Sequence, residues 1–475
     1  VPGLDAMDPT TRRRVVLDAL LERARLENRA VRAVLDEGVR RGDVAAVREL
    51  YLADAIVFEA NAAAVARIAQ LPDAATLHHD RPWDLTRAAT RGSGGPAASP
   101  RGKAGDTIHA WNLKYVRAPK VWNELGYTGE GVIIGHVDTG VMKDHPDLRG
   151  ARWVNPAEIA GNGNDDDGNG YVDDVHGYDF GDGDGDPEDD ATGDGHGTHT
   201  AGTLVGDGTL GIRTGVAPGA SLMSVKVYRS NGGGGTLGTI WAAQQYCVEN
   251  GARVLSMSLV LAGRIPVTFM RNERLNAANI RDAGVTLFAS AGNEFIPYGP
   301  PEELGLTARV PAPWNRLPVP HSSTGGVIAV GGLDYQSDLV YPLSSRGPAK
   351  WDDVDPWHDW AFKPGEGLTK PDIAAPGVNV NSTVLGGGYS GDTWSGTSMA
   401  CPHAAGVAAL MLEKNPTLSP AGIDSLMELT AVDLGEPGKD NEFGSGRLDA
   451  YLAVSAVPAA RHPDLVWTEL MPDPE

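Results

Sequence analysis

Apolar positions along the chain follow two periods, and where each one holds predicts the elements. Leu17, Leu20, Leu21, Ala24, Val31, Val34 and Leu35 recur at helical spacing. They follow Asp8-Pro9, an N-cap residue with a proline suited to the first helical turn. Residues 50–58 change to a β-rich run, Asn61 can cap a short helix that reaches Leu71 before Pro72, and 75–79 reads as a further strand. These predict a small α+β unit ending near Leu85. Residues 88–106 (AATRGSGGPAASPRGKAGD) lose the apolar period and are rich in Gly, Pro and Ser, which predicts an exposed linker.

Beyond the linker, short apolar runs at 132–137, 221–228, 254–259, 285–289 and 327–330 alternate with helical segments near 198–204, 236–250 and 276–282. A last helix is predicted over 397–414. Buried strands alternating with helices imply an α/β fold, a parallel sheet with helices on both faces. Residues 459–475 form a tail with no core pattern of their own. The expected organisation is therefore 1–103, 104–458 and 459–475.

Composition narrows the function. The 475 residues carry a formal net charge of −22, which speaks against a nucleic-acid backbone or an anionic membrane surface as partner. The charge is uneven, +2 over residues 1–103 and −24 over the rest, so attraction between the two parts is expected. No apolar run reaches the roughly 18 residues of a membrane span. Arg12-Arg13-Arg14 is followed by Asp18 and Glu22, which interrupt the apolar stretch, so this is not read as a signal peptide. Cys247 and Cys401 are too few for a disulfide framework.

Three segments place reactive side chains where strands end or helices begin. Gly135-His136-Val137-Asp138-Thr139-Gly140 puts Asp138 at the end of an apolar run. Gly195-His196-Gly197-Thr198-His199-Thr200-Ala201-Gly202 puts His196 ahead of a helix of small residues. Gly396-Thr397-Ser398-Met399-Ala400-Cys401-Pro402-His403 puts Ser398 at a helix N-terminus, where free N–H groups favour a developing anion. Each alone has an ordinary capping role. Together an acid, a histidine and a serine are what nucleophilic acyl transfer needs, and the order Asp138, His196, Ser398 matches one of the three known chain orders of that constellation.

With these motifs in view, residues 108–457 resemble the subtilisin-like serine proteases. Further landmarks in the same order are Val216-Ala217-Pro218-Gly219-Ala220, Ser256-Met257-Ser258-Leu259, Ala289-Ser290-Ala291-Gly292-Asn293-Glu294, Ser344-Ser345-Arg346-Gly347-Pro348 and Lys370-Pro371-Asp372-Ile373-Ala374-Ala375-Pro376-Gly377. The resemblance implies a serine endopeptidase, with Asn293 as side-chain donor of the oxyanion hole and the Ser398 N–H as its partner. It places substrate along two edges, one through Gly233 and Gly234 and the other through Ser258, Leu259 and Val260, with Ala291 and Gly292 completing the binding residues. Val260 and Leu261 stand where such proteases often carry glycines, which would narrow a subsite. The resemblance also implies a secreted monomer acting on proteins or peptides. It makes residues 1–103 a propeptide that assists folding, inhibits the enzyme and is removed by autocleavage between Asp84 and Asp106.

Residues 161–194 hold 13 acidic residues and no Lys or Arg. Asp165, Asp167, Asn169, Asp173 and Asp174, spaced among glycines, read as a calcium loop, since oxygen ligands at alternate positions can converge on one hard cation. A second run, from Asp182 to Asp190, could bind another. By resemblance Asp147 is a ligand of a separate calcium site, although Thr209 stands where an asparagine is usual. Two other functions fit the same motifs: a dedicated maturation protease of narrow specificity, and a calcium-dependent binding protein on an inactive protease scaffold.

Overall fold

Seven short strands form one sheet in which each neighbouring pair runs parallel. Across the sheet they are Ile373–Pro376, Ile328–Leu333, Thr286–Ser290, Val254–Met257, Ile133–Asp138, Ser221–Lys226 and Gly177–Asp179. This computed structural model describes residues 3–4, 7–71, 74, 76–82, 85–87, 90–91, 108–190, 193, 195–261, 267–294, 307–310, 326–349 and 368–460. Side chains alternate across each strand, so the sheet feeds two cores. Leu255 and Val137 join one layer with the helices Leu237–Glu249 and Val267–Asp282. Val254 and Ile134 join the other, with the helices His196–Val205, Thr397–Lys414, Pro420–Thr430 and Ala450–Ala456. The predicted α/β architecture is therefore observed. Cys247 lies in the first layer and Cys401 in the second, both buried and free.

The topology places the site. The chain enters the sheet at Ile133–Asp138, passes through Gly177–Asp179 and Ser221–Lys226 on one side, then crosses to Val254–Met257 on the other. Connections thus leave the carboxyl end of Ile133–Asp138 in opposite directions, and a crevice opens there. Asp138 is the last residue of that strand.

Most predicted elements recur with shifted ends. The Asp8 carboxylate accepts from the Thr10 and Thr11 N–H groups at the head of the helix Pro9–Glu27. Asn61 caps Ala62–Ile68, which is shorter than expected. The β-rich run at 50–58 is a hairpin, Val44–Leu50 paired with Ala55–Ala60, so its middle is a turn. Residues 76–80 have no ladder partner among the described residues, which corrects the strand expected at 75–79; Ala75 itself lies outside them. The helix expected at 276–282 begins at Val267.

The N-terminal unit has a small core of its own, Val31, Leu35, Val44, Ala64 and Ile68. Its larger attachment is the turn Leu50, Tyr51, Leu52 and Ala53, which belongs to the first core of the sheet. Tyr51 Oη donates to Glu249 (2.6 Å), Asn279 donates to the Leu52 carbonyl (2.7 Å) and Asn272 donates to the Ala53 carbonyl (2.7 Å). Arg12 donates to the Asp282 carbonyl at the end of its helix (2.6 Å), and Arg13 donates to the Ala252 carbonyl (2.6 Å). Cations at carbonyl-rich helix ends gain from the helix dipole. These contacts join the units by apolar burial and by donors placed on backbone carbonyls.

Under this docking surface Glu273 is buried, accepting from the Trp241 indole N–H (2.6 Å). Burial pushes its carboxyl up to about 7, against an ordinary 4.5. The folded chain then holds a proton that the unfolded chain releases between about pH 4.5 and 7, so stability falls as pH rises through that window. Glu273→Gln, made together with Ser398→Ala to prevent self-digestion, should melt like its parent at pH 4.5. At pH 8 it should be more stable by on the order of 3 kcal/mol. A gain in Tm that is the same at both pH values would show that this carboxyl does not hold the proton.

Candidate active site

Asp138 is fully buried, and each of its oxygens is supplied with donors. Oδ1 accepts from the Thr139 N–H (2.8 Å) and from His196 Nδ1 (2.6 Å), and Oδ2 accepts from the Thr200 hydroxyl (3.2 Å). Burial alone would favour the protonated acid. The His196 charge and hydrogen bond, with His136 and the Thr139 N–H, outweigh it and hold the carboxyl below the usual carboxylate range.

His196 reaches Asp138 because its helix begins immediately beside the strand end. Gly195, the residue before the helix, takes φ 74°, and Gly197 packs so tightly on the Gly140 carbonyl that a Cβ would lie 2.0 Å from it. Asp189 ties the two elements together: it accepts from Thr139 Oγ1 (2.8 Å), the Thr198 N–H (2.8 Å) and Thr198 Oγ1 (2.6 Å). Thr139 Oγ1 in turn accepts from the Gly197 N–H (2.8 Å).

Ser398 is the second residue of Thr397–Lys414, after Gly396 at φ 154°. Pro402 lies inside that helix and has no N–H to give to the carbonyl four residues back. That carbonyl belongs to Ser398, and the Ser258 hydroxyl donates to it (2.8 Å). The Ser398 hydroxyl returns a bond to the Ser258 carbonyl (3.1 Å). The serine is thereby pinned to the residue that precedes Leu259–Leu261, with its hydroxyl turned to a carbonyl.

Asn293 lies half-buried beside it. Its side-chain oxygen accepts from the Thr397 N–H (2.9 Å) and the Thr397 hydroxyl (3.0 Å). Two donors at one end fix the amide's orientation, so its NH2 end is the other one. Gly292 at φ 112° makes the turn; its N–H donates to Thr397 Oγ1 and its carbonyl accepts from the Ser345 N–H, while the Ala291 N–H donates to the Val330 carbonyl. Gly233 and Gly234 lie in a turn closed by the Arg229 N–H on the Gly233 carbonyl, and no strand pairs with them among the described residues.

The other edge is paired. Leu259–Leu261 runs antiparallel to Leu85–Arg87, with Leu259 opposite Arg87 and Val260 opposite Thr86. Thr90–Arg91 pairs antiparallel with Trp394–Ser395, just before Gly396.

Residues 129–446 match the model of the subtilase family. The chain belongs to that family. It is a hydrolase of the serine protease class. It is 30% identical over 439 residues to bacillopeptidase F of Bacillus subtilis (strain 168), a match covering 88% of this chain and 27% of that protein. It is 30% identical over 346 residues to subtilisin E of the same strain, covering 72% of this chain and 70% of the relative. Alkaline elastase YaB of Bacillus sp. (strain YaB) is 32% identical over 347 residues, covering 72% and 69%. This subtilase therefore spans about a quarter of the length of bacillopeptidase F. That match necessarily enters the N-terminal unit, because residues 104–475 make up less than four fifths of the chain. No described helix is long and apolar enough to cross a membrane.

The acidic loop of this subtilase sorts its residues. Carboxylate oxygens of Glu158, Asp165 and Asp167 lie within 4.8 Å of one another. The second oxygen of Glu158 is buried and has no hydrogen-bond partner. Three converging hard oxygen ligands, one of them unsatisfied, fit a calcium ion. Asn169 sits at the rim, donating to Asp167 and Asp174. Asp174 accepts from Asn155, Asn169 and Tyr246, and Asp173 from the Asn162 and Gly163 N–H groups, and neither belongs to the converging set. Asp147 belongs to other contacts, accepting from the Leu210 N–H (2.8 Å) and the Tyr389 hydroxyl (2.6 Å). The run from Asp182 to Asp190 is met by lysines, Lys226 on Asp190 (2.5 Å) and Lys143 on Asp186 (2.8 Å).

Sequence reading passed over His136, Thr200, Thr397 and Glu158, and took Asp189 only as one acid of a run that could bind a cation, whereas it joins Thr139 to Thr198. The first three stand in quoted motifs as polar residues in apolar or small-residue company; Glu158 is isolated ahead of the acidic run and carries no signal. Asp189→Ala leaves three buried donors without an acceptor, at about 1–3 kcal/mol each before relaxation. A Tm loss much larger for Asp189→Ala than for Asp189→Asn is the expected result. Equal melting of both variants and the parent would remove Asp189 from this role.

Proposed function

We propose that the chain is a serine endopeptidase made as a zymogen, in which residues 1–103 act as propeptide and the protein and peptide substrates bind where Leu85–Arg87 lies. The observation that carries this reading is the pair of ladders at the cleft. An extended segment adds to a strand edge by backbone hydrogen bonds, which is how a protease takes a peptide. Leu85–Arg87 pairs with the edge that begins at Ser258, and Thr90–Arg91 pairs with the edge that ends at the Ser398 helix. The chain's own sequence thus follows a substrate path on both sides of Ser398. Export, removal of the propeptide and action as a single chain complete the proposal.

In this mechanism the Ser398 hydroxyl swings from the Ser258 carbonyl to His196 and attacks the substrate carbonyl carbon, passing its proton to the imidazole. Asp138 holds Nδ1–H and stabilises the imidazolium. The tetrahedral oxygen is met by the Asn293 NH2 group and the Ser398 N–H. Collapse breaks the C–N bond, the leaving amine takes the proton from His196, and water then hydrolyses the acyl ester on Ser398 by the same proton path. A structural calcium ion held by Glu158, Asp165 and Asp167 would order the loop ahead of His196 by cancelling the repulsion among them.

Three results are expected. Incubated full-length chain should split while Ser398→Ala stays whole, and the new N-terminus should be Ala88, Ala89 or Thr90, because the two ladders bracket the bonds between Arg87 and Thr90. A new terminus outside that window would sink the register argument, and splitting of the Ser398→Ala chain by itself would sink autocleavage. Asn293→Ala should lower kcat by about 10²–10³ with KM little changed, a magnitude measured on subtilisin itself. A chelator should lower Tm and open residues 158–174 to proteolysis, with added calcium restoring both; a melt indifferent to chelator and calcium would argue for an ion-free loop.

A further inference from the structure

The strand that ends at Asp138 carries a second buried histidine two residues earlier. Side chains at i and i+2 of a strand share a face, so His136 and Asp138 both point toward the helix that begins at His196. Thr200 lies one turn along that helix from His196 and fits between them. His136 Nε2 is 2.8 Å from Thr200 Oγ1, and Thr200 Oγ1 is 3.2 Å from Asp138 Oδ2. We propose that His136 is a positioning residue: through the Thr200 hydroxyl it fixes a donor on the second oxygen of Asp138 and so lowers the pH at which the catalytic base becomes available. This rests on the reading of Asp138, His196 and Ser398 as the catalytic constellation.

The proton count supports the direction of the chain. The Thr200 hydroxyl has one proton and three acceptors in reach, Asp138 Oδ2 and the His196 and Gly197 carbonyls at 3.2 and 3.1 Å. Those carbonyls sit in the helix ladder already, and the carboxylate is the charged acceptor. An Nε2–H tautomer of His136 donates to Oγ1 and leaves the hydroxyl proton for Asp138. The opposite tautomer would draw that proton away and leave an N–H at Nδ1, which is buried and has no hydrogen-bond partner. A lone buried N–H is the costlier orphan, so Nε2–H is the form this site holds. Burial pushes the His136 imidazole down to about 4, so above that pH it acts as a neutral donor and adds no second cation.

Other charged or titratable groups around Asp138 are accounted for. Lys226, opposite Asp138 in the strand register, gives its ammonium to Asp179 and Asp190. Asp189 is held by Thr139 and Thr198. Cys401, facing from the Ser398 helix, is a thiol that burial pushes up to about 12. The hydrogen-bond donor on Oδ2 is Thr200, with His136 Nε2 itself 3.8 Å from the same oxygen. A donor there draws charge from the carboxylate, weakens its hold on an imidazolium and lets the base deprotonate at lower pH.

The test uses the processed enzyme and a chromogenic peptide, with kcat and KM followed from pH 5 to 9. His136→Val and Thr200→Val should each lower kcat near the acid limb, leave KM within about twofold, and move that limb up by roughly half to one pH unit. The double variant replaces a polar pair with an apolar one, should fold even if a single variant does not, and should shift the limb no further than the singles. His136→Gln, which keeps an N–H donor, should bring the limb back toward the parent. An unmoved limb in the folded double variant would overturn the inference and leave His136 as core packing. Failure of a fluorophosphonate to label Ser398 in the processed parent enzyme would sink the underlying reading instead, and it is seen before any variant is made.

Discussion

A carboxylate taken wholly out of water has to be given donors by the protein, or it keeps its proton and is useless as a partner for an imidazole. Asp138 is in that position, and much of the local architecture answers the demand. Its donors come from three places: the backbone just after the strand, the first residue of a helix, and the residue one turn further along. For the helix to start there, glycines must stand at 195 and 197, since the first takes positive φ and the second touches a neighbouring carbonyl. For the strand end and the helix end to stay together, a second buried acid, Asp189, must be satisfied by threonines from both. One ionised group thus dictates the small-residue and hydroxyl composition of a whole motif.

The Ser398 side is built by a different constraint, a missing donor. Pro402 withholds an N–H that an ordinary helix would have given to the Ser398 carbonyl, and Ser258 supplies the replacement from the sheet side. The same Ser258 begins the edge that continues through Leu259–Leu261. Ser398 and the strand that continues from Ser258 are therefore joined by a reciprocal pair of hydrogen bonds, which in the proposed mechanism brings a peptide laid along that edge into register with the serine. The apolar turn Leu50–Ala53, docked on the helices Leu237–Glu249 and Val267–Asp282, anchors the N-terminal unit on the same side of the sheet, which lets Leu85–Arg87 reach the edge.

What was legible in the sequence follows from which signals are local. The continuous apolar runs at 132–137, 254–259 and 285–289 announced buried parallel strands because both faces of those strands are covered. The pairing of Asp138 with His196 was legible because glycine-bounded motifs carry their backbone requirements with them. The edge strand Gly177–Asp179 was not, since it is three residues long and is held by Gly177 packing on the Ser224 carbonyl, a contact distant in sequence. The first half of Val267–Asp282 was hidden because polar residues lie on its buried side, Asn272 bonding the Ala53 carbonyl and Glu273 the Trp241 indole. His136 and Thr200 were passed over for the same reason: a polar pair that satisfies itself across two elements leaves no periodic trace.

The two acidic runs show why composition alone cannot assign ions. Both are dense in aspartate and neither contains a basic residue, so each looks equally in need of a cation. In the fold the second run meets Lys226 and Lys143, which arrive from the strand Ser221–Lys226 and from the segment after Asp138. The counter-charge there is covalently part of the chain, and a metal ion would have to displace an ammonium to enter. At Glu158, Asp165 and Asp167 the neighbours are backbone N–H groups and asparagine amides, which orient carboxylates without cancelling their charge. Partial charges of that kind leave net repulsion among three acids, and a buried oxygen of Glu158 still lacks a donor. The difference lies in which lysines the topology delivers, so the proposed calcium requirement falls on the first run and lets the second fold with the charges it already has.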